Sequence, residues 1–479
     1  MCPANRREGE IPPCRGALHA LKIIDCRSPR DNLSIYQALT ENFKSGRQFM
    51  DRRAFIASAG AAAAVVASGR AGAAMGANDK IGIALIGARN MGLSDLCSAM
   101  SAGGANIVSI ADADKTILDR RGAEAGKKFG AKPALYSDYR RALDRRDVDA
   151  VIIGTPDHWH CLQFCDACSA GKDVYVEKPI ANSIAECDAM TAFARKFGRV
   201  VSVGQQQDSS KMWRRVIDMA RGGKLGRISR VDVWANFRYG GGSAPAADST
   251  PPAGLDYGMW LGPAPARPFN PRRLHGSWRL FWDYGGGLMT DWGVHLLDMA
   301  AQGLGKDSLP RRVSGAGGKF AHPETSSQTF DTLNVVYDFG DSSIAWSNTA
   351  VPVGFYGMSY GVAFNGEKGV LAANREGWKT IPNPGVKTGA LKGESGKPEN
   401  GEHLDHLKDF LDAVRSRRFK TACTIENGAF CAKLAHLGNI SARVGKTLSY
   451  DDAAKTFSDA EADGYLRPSY RAPWKFPEA

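Results

Sequence analysis

Cysteine is scarce, with ten in 479 residues, too few for a disulfide scaffold. Three of them, Cys2, Cys14 and Cys26, fall in residues 1–49. The remaining seven are odd in number, so a fully paired framework is impossible. The overall composition is neither collagen-like nor that of a largely disordered chain. A basic block is missing too. Lys and Arg number 62 against 50 Asp and Glu, and residues 1–75 account for 11 and 6 of these. The net +12 is therefore spread as a mildly basic surface, not a phosphate-binding stripe, which excludes a nucleic-acid partner. No apolar run is long and hydrophobic enough to span ~30 Å of bilayer. What is present, 43% hydrophobic and 23% charged residues, suits a globular chain of two or three domains.

The N-terminal region reads as an address. Asp51-Arg52-Arg53-Ala54-Phe55-Ile56 precedes a short alanine-rich run, and Ala71-Gly72-Ala73-Ala74 supplies an A-x-A-like exit. The arginine pair resembles a twin-arginine signal, which predicts export to the periplasm and no membrane span once the signal is removed. Residues 1–49 show no convincing period. They read as a disordered upstream extension before Met50, with the signal over residues 50–76.

Lys80 to Gly87 is a short apolar run, as in a buried parallel strand. It ends in Gly87-Ala88-Arg89-Asn90-Met91-Gly92, and the pattern predicts a helix from about Leu93. The first glycine serves a tight turn and the last serves close helix–strand packing, while the helix N-terminus would face a pyrophosphate. Arg89 replaces the middle glycine of G-x-G-x-x-G. A second strand, Asn106–Ala111, ends at Asp112, where a carboxylate can accept from both adenosine ribose hydroxyls. It would repel a 2′-phosphate, so NAD is expected and NADP disfavoured. Further strands are predicted over 148–154, 173–176 and 199–204, with helices over 160–170 and 183–197. This alternation implies a parallel sheet with ligands at its carboxyl ends. Gly87, Asp112, Thr155, His158 and Lys178 all fall at or just past those ends. Cys161, Cys165 and Cys168 have i, i+4, i+7 spacing, which predicts one buried helix face and no metal site.

The set Gly87…Gly92, Asp112, Thr155-Pro156-Asp157-His158-Trp159-His160 and Glu177-Lys178-Pro179 resembles the Gfo/Idh/MocA family of NAD(P)-dependent sugar and cyclitol oxidoreductases. Gly285-Gly286-Gly287 through Asp291, His295 and Asp298 resembles the family's second signature, and the likeness covers about residues 79–479. It implies an α/β fold: an N-terminal Rossmann doubly wound parallel sheet over 77–205, then an α+β domain with an open, largely antiparallel sheet over 206–445. A tail over 446–479 would pack back on both. The implied cofactor residues are Gly87, Arg89, Asn90, Met91, Gly92, Asp112, Thr155, Pro156, His158, His160, Glu177 and Lys178. A cis peptide before Pro179 is also implied.

The implied chemistry is hydride transfer between a carbohydrate secondary alcohol and nicotinamide. His295 would be the acid/base, Asp291 would orient it or the substrate, and Lys178 would stabilise alkoxide character. Asp291 and His295 are i and i+4, one face of a predicted helix. Trp278 and Arg279 join Lys178, Asp291 and His295 as expected substrate contacts. They lie in a stretch from Tyr257 to Tyr284, rich in Trp260, His275, Phe281 and Trp282, that reads either as a sugar-stacking surface or as an irregular core segment. Gln205-Gln206-Gln207-Asp208 stands where many members carry an arginine, which leaves the substrate contacts there open. Two other functions fit the same residues: an NAD-dependent glycoside hydrolase and a non-catalytic sugar or cofactor binder. The resemblance implies a homodimer or homotetramer.

Overall fold

The computed structural model describes residues 80–239 and 244–478; the expectations for residues 1–49 and 50–76 lie outside them. Six strands form the first sheet: β1 (Ile81–Ile86), β2 (Ala105–Ala111), β3 (Ala134–Tyr136), β4 (Ala150–Ile153), β5 (Asp173–Val176) and β6 (Val201–Val203). They run parallel in the order β3-β2-β1-β4-β5-β6. That order reverses between β1 and β4, which opens a crevice at their carboxyl ends. Every residue of β1, β4 and β5 is buried; β1 and β4 are unbroken apolar runs, and Asp173 at the start of β5 accepts from Val200 N–H at 2.8 Å. Strand β3 carries no such run. It is a three-residue edge strand, half exposed, and the sequence reading missed it.

Helices α1 (Asn90–Ala102), α2 (Lys115–Phe129), α3 (Asp157–Ser169) and α4 (Ile184–Phe197) cover this sheet. Asp114 caps α2 by accepting from Thr116 and Ile117 N–H, and Ser183 caps α4 by accepting from Glu186 N–H. Helices α1 and α3 begin three residues earlier than predicted, so Asn90 and Asp157 are already helical. Cys161, Cys165 and Cys168 bury one face of α3 in the core.

The second domain is built on an eight-stranded mixed sheet. Its strands are β7 (Ile228–Ala235), β8 (Arg312–Gly318), β9 (Thr332–Asp338), β10 (Ser343–Asn348), β11 (Tyr360–Gly366), β12 (Gly369–Asn374), β13 (Gly377–Pro382) and β14 (Ser395–Gly396). The order is β14-β13-β12-β11-β7-β10-β9-β8, and only the β7–β10 pair is parallel. Alternation decides its faces: Leu333, Val335 and Tyr337 of β9 point into the core while Asn334 and Val336 face out. The inner face packs on α5 (Lys211–Arg221), α6 (Gly287–Asp291), α7 (Gly293–Leu304) and a 20-residue helix, Ile425–Val444.

The helix Glu402–Ser416, although inside the span 206–445, returns to the first domain. Its Leu407, Phe410, Leu411 and Val414 join Leu96 and Ala99 of α1 in one core. Burial of each large side chain there contributes about 1.5–3 kcal/mol. The tail also folds back. Tyr470 donates to the Glu186 carboxylate at 2.7 Å, Trp474 packs edge-on against Trp159, and Arg471 donates to Gly262 O at 2.9 Å. Among the described residues no helix is long and apolar enough to cross a membrane.

Candidate active site

The turn after β1 is built by three glycines in mutual contact. Gly87 has φ +85°, a conformation that favours glycine. A Cβ on Gly92 would lie 2.1 Å from Gly87 O, and one on Gly154 would lie 2.5 Å from the Gly92 Cα. The ends of β1 and β4 thus meet the first turn of α1 backbone to backbone. Arg89 holds the N-cap position of α1 with no side-chain cap bond, and no acidic residue occupies the first turn. The helix N-terminus keeps its free N–H groups, which suits a phosphate. The Arg89 guanidinium lies 3.8 Å from the Asp114 carboxylate.

Asp112 follows β2 directly. Its Oδ2 accepts from Ala88 N–H at 2.8 Å and its Oδ1 from Asp114 N–H at 2.9 Å. Burial pushes its pKa up, and the two backbone donors oppose that. Each oxygen retains a further acceptor site for a ribose hydroxyl. Gly87, Arg89, Asn90, Met91, Asp112, Thr155 and Pro156 line one open cleft of about 900 Å³, and Trp260, His275, Trp278 and Arg279 close it from the second domain. The glycine cradle, the open helix end and the strand-end carboxylate fit a dinucleotide.

Three expected cofactor residues stand behind that wall. His160 places Nε2 2.9 Å from Thr155 O and Nδ1 2.8 Å from Pro179 O, so it braces two turns that shape the site. The His158 ring packs between Trp260 and Tyr284, and its Nε2 meets Trp260 O at 3.1 Å. Burial lowers both histidines to about 4. Glu177 is buried, with Oε1 unpartnered.

The Lys178–Pro179 peptide is cis, as the resemblance implied. Lys178 Nζ donates to Asp291 Oδ1 at 2.7 Å and to Asp291 O at 3.1 Å. Tyr239 donates to Asp291 Oδ2 at 3.1 Å, and Arg279 Nε lies 3.3 Å from Oδ1. Burial alone would raise the Asp291 pKa; the Lys178 and Arg279 charges outweigh it and hold the carboxyl below the usual range. Arg279 also stacks on Trp278, its guanidinium carbon 4.1 Å from the ring centroid.

The single helix expected to carry Asp291 and His295 is interrupted. Helix α6 ends at Asp291 and α7 starts at Gly293, with Trp292 between them. His295 is nonetheless one turn on. It is buried, and its Nδ1 has no partner. Burial, then the Arg375 and Lys178 charges, push its pKa well below that of a free imidazole, against the pull of Asp291. The ring is therefore neutral at neutral pH.

Tyr239 and Arg375 were missed by sequence reading. They reach the site from the end of β7 and from the turn between β12 and β13, positions with no local spacing signal. The aromatic stretch divides. Trp260, His275, Trp278 and Arg279 line the cleft, while Phe281 and Tyr284 fill a small core beneath it and Trp282 packs on Phe330.

Residues 81–205 match the model "Oxidoreductase family, NAD-binding Rossmann fold", and residues 227–476 match "Oxidoreductase family, C-terminal alpha/beta domain", both of the Gfo/Idh/MocA group. The chain belongs to the Gfo/Idh/MocA oxidoreductase family. Among curated relatives, the alpha-N-acetylgalactosaminidase of Shewanella oneidensis is 28% identical over 152 residues, 31% of this chain. That match spans 33% of the relative, so the chain aligns with about a third of it. A glycosyl hydrolase family 109 protein of Shewanella putrefaciens is 27% identical over 154 residues, 31% of this chain and 34% of that one. Among solved structures, the aldose-aldose oxidoreductase of Caulobacter crescentus has TM-score 0.58 and 19% identity, covering 77% of this chain and 99% of that one. Levoglucosan dehydrogenase with NADH and levoglucosan has TM-score 0.58 and 17% identity over the same shares. These structural likenesses establish the fold.

Proposed function

We propose that this family member is an NAD-dependent dehydrogenase acting on a secondary alcohol of a sugar or cyclitol. The observation that carries the reading is the meeting of Lys178 with Asp291 from the other domain, one turn before a buried, neutral His295. NAD, when bound, supplies the hydride acceptor. His295 takes the hydroxyl proton as the C–H hydride leaves. The Lys178 ammonium stabilises the developing charge on the same oxygen, and Asp291 fixes where that ammonium sits. Asp112 and Asp114, both on the cleft wall, favour NAD over NADP by repelling a 2′-phosphate. The test is mass analysis of the cofactor released on denaturation, with a screen of sugars and cyclitols for NADH absorbance. A chain that forms NADH from none of them while retaining NAD does not fit this reading.

The glycosidase names among the curated relatives support a second reading, transient oxidation followed by elimination of an aglycone. Retention of Lys178 favours the dehydrogenase. Cleavage of an aryl N-acetylgalactosaminide without net NADH formation decides for the hydrolase. Export by the twin-arginine route is part of the proposal and rests on Arg52-Arg53. Changing both to lysine should leave the protein cytoplasmic with its leader uncleaved.

A further inference from the structure

Arg375 is a half-buried cation at this site with its Nη2 buried, and it has no counterion among the described residues. Its Nε donates to Gln207 Oε1 at 2.8 Å, and its guanidinium lies 4.8 Å from the Trp292 ring centroid. Nη2 has no hydrogen-bond partner. Among the described residues no carboxylate lies within ion-pair distance of it; Glu402 and Asp291 act on it only from further away. Arg279, the other guanidinium here, has Asp291 at 3.3 Å. Asp291 is shared by Lys178, Arg279 and Tyr239 and does not reach Arg375.

Gln207 ties this cation to the acid/base. The amide that accepts from Arg375 donates through Nε2 to His295 O at 3.3 Å. Trp292, against which Arg375 stacks, is the residue that separates the Asp291 and His295 helices. The guanidinium is therefore fixed on one edge and one face, with Nη2 left over, beside the group that handles the proton. A buried guanidinium nitrogen is normally hydrogen-bonded, and an unused guanidinium edge matches a planar oxyanion.

We infer that Arg375 is a specificity-determining residue that receives an oxyanion of the substrate, so that the preferred substrates are sugar acids or sugar phosphates, not neutral sugars. This deepens the dehydrogenase reading and rests on it for the location of the substrate.

The test uses the NADH-loaded protein and isothermal titration. The probes are the D-glucuronate, D-galacturonate and D-mannuronate series against their primary amides, and glucose 6-phosphate against glucose. The two arms separate carboxylate from phosphate as the source of the anion. The better anion should bind about 10–150-fold tighter than its neutral partner, the range for hydrogen bonds to charged groups. Arg375→Gln should bring each pair within a factor of about three, and Arg375→Lys should keep part of the preference. Unchanged NADH affinity in both variants reports an intact fold. Equal binding of anionic and neutral partners by the parent protein overturns the inference, as does no binding by any anion. So does a preference that survives Arg375→Gln. His295-dependent NADH formation from neutral sugars with no anion preference would remove the Arg375 assignment and leave the dehydrogenase standing. Anion-selective binding lost in Arg375→Gln, with no NADH formed from any probe, would do the reverse.

Discussion

Lys178 and Asp291 join the two domains: Nζ stands 2.7 Å from Oδ1, although the two are 113 positions apart in the sequence. Lysine is a flexible point charge, and without this carboxylate its ammonium would range over the cleft mouth. Tyr239 and Arg279 hold the same carboxylate from two other directions. In the proposed reaction the Lys178 ammonium is thereby set before substrate arrives, which is the kind of preorganisation that electrostatic stabilisation requires.

Asp291→Asn should release that arrangement. It leaves Lys178 and Arg279 without their shared anion in a mostly buried setting, and breaking such a pair costs about 3–5 kcal/mol. The midpoint of urea unfolding should fall, and turnover should fall with it. A variant of parental stability and turnover would show that the pair has no part in either.

His295→Ala should lower turnover by about 10²–10⁴-fold, the usual contribution of a positioned base. NAD affinity should hardly change, because His295 does not line the dinucleotide cleft. The pH dependence follows from the lowered imidazole pKa. A base acts when unprotonated, so lowering its pKa moves the acid limb of kcat/KM below the free-imidazole value of about 6.5. A limb above that value would mean another group takes the proton.

The first domain was legible because its strands are continuous apolar runs that end in residues with recognisable jobs: Gly87, Asp112 and Lys178. Strand β3 was not, since a three-residue edge strand buries too little to leave a pattern. The Asp291–His295 spacing implied one helix, and the break at Trp292 left no mark in it. His158 and His160 looked like cofactor contacts from their place after β4. Two backbone carbonyls around His160 and an aromatic cage around His158 turn them into supports. Tyr239 and Arg375 could not be read at all. They reach the site only because β7 and the β12–β13 turn converge on it in three dimensions.

Asp112→Ala should weaken NAD binding by about 10–150-fold through lost charge-assisted hydrogen bonds. If the proposed choice of NAD rests on this carboxylate, the variant should also discriminate less against NADP. Fluorescence titration with both dinucleotides checks this. Parent protein that binds NADP more tightly than NAD would overturn the assignment of Asp112.

Glu177→Gln should stabilise the protein in alkaline solution and hardly at all in acid. Glu177 is buried beside Asp95, and burial first, then that neighbouring acid, push it up to about 8 from an ordinary 4.5. Between those values the folded chain holds a proton that the unfolded chain has lost. Stability therefore falls as pH rises across the window, by at most about 1.4 kcal/mol per pH unit from this group. Its contribution is complete below about 4.5 and gone above about 8. Glutamine has the shape of the protonated acid and does not titrate. Other buried acids, such as Glu186 at about 7, titrate in parent and variant alike and cancel in the difference. The melting temperature of Glu177→Gln minus that of the parent should be near zero at pH 5 and clearly positive at pH 9. The same difference at both values would mean that Glu177 is ionised in the folded protein, with Lys178 and His403 compensating its charge.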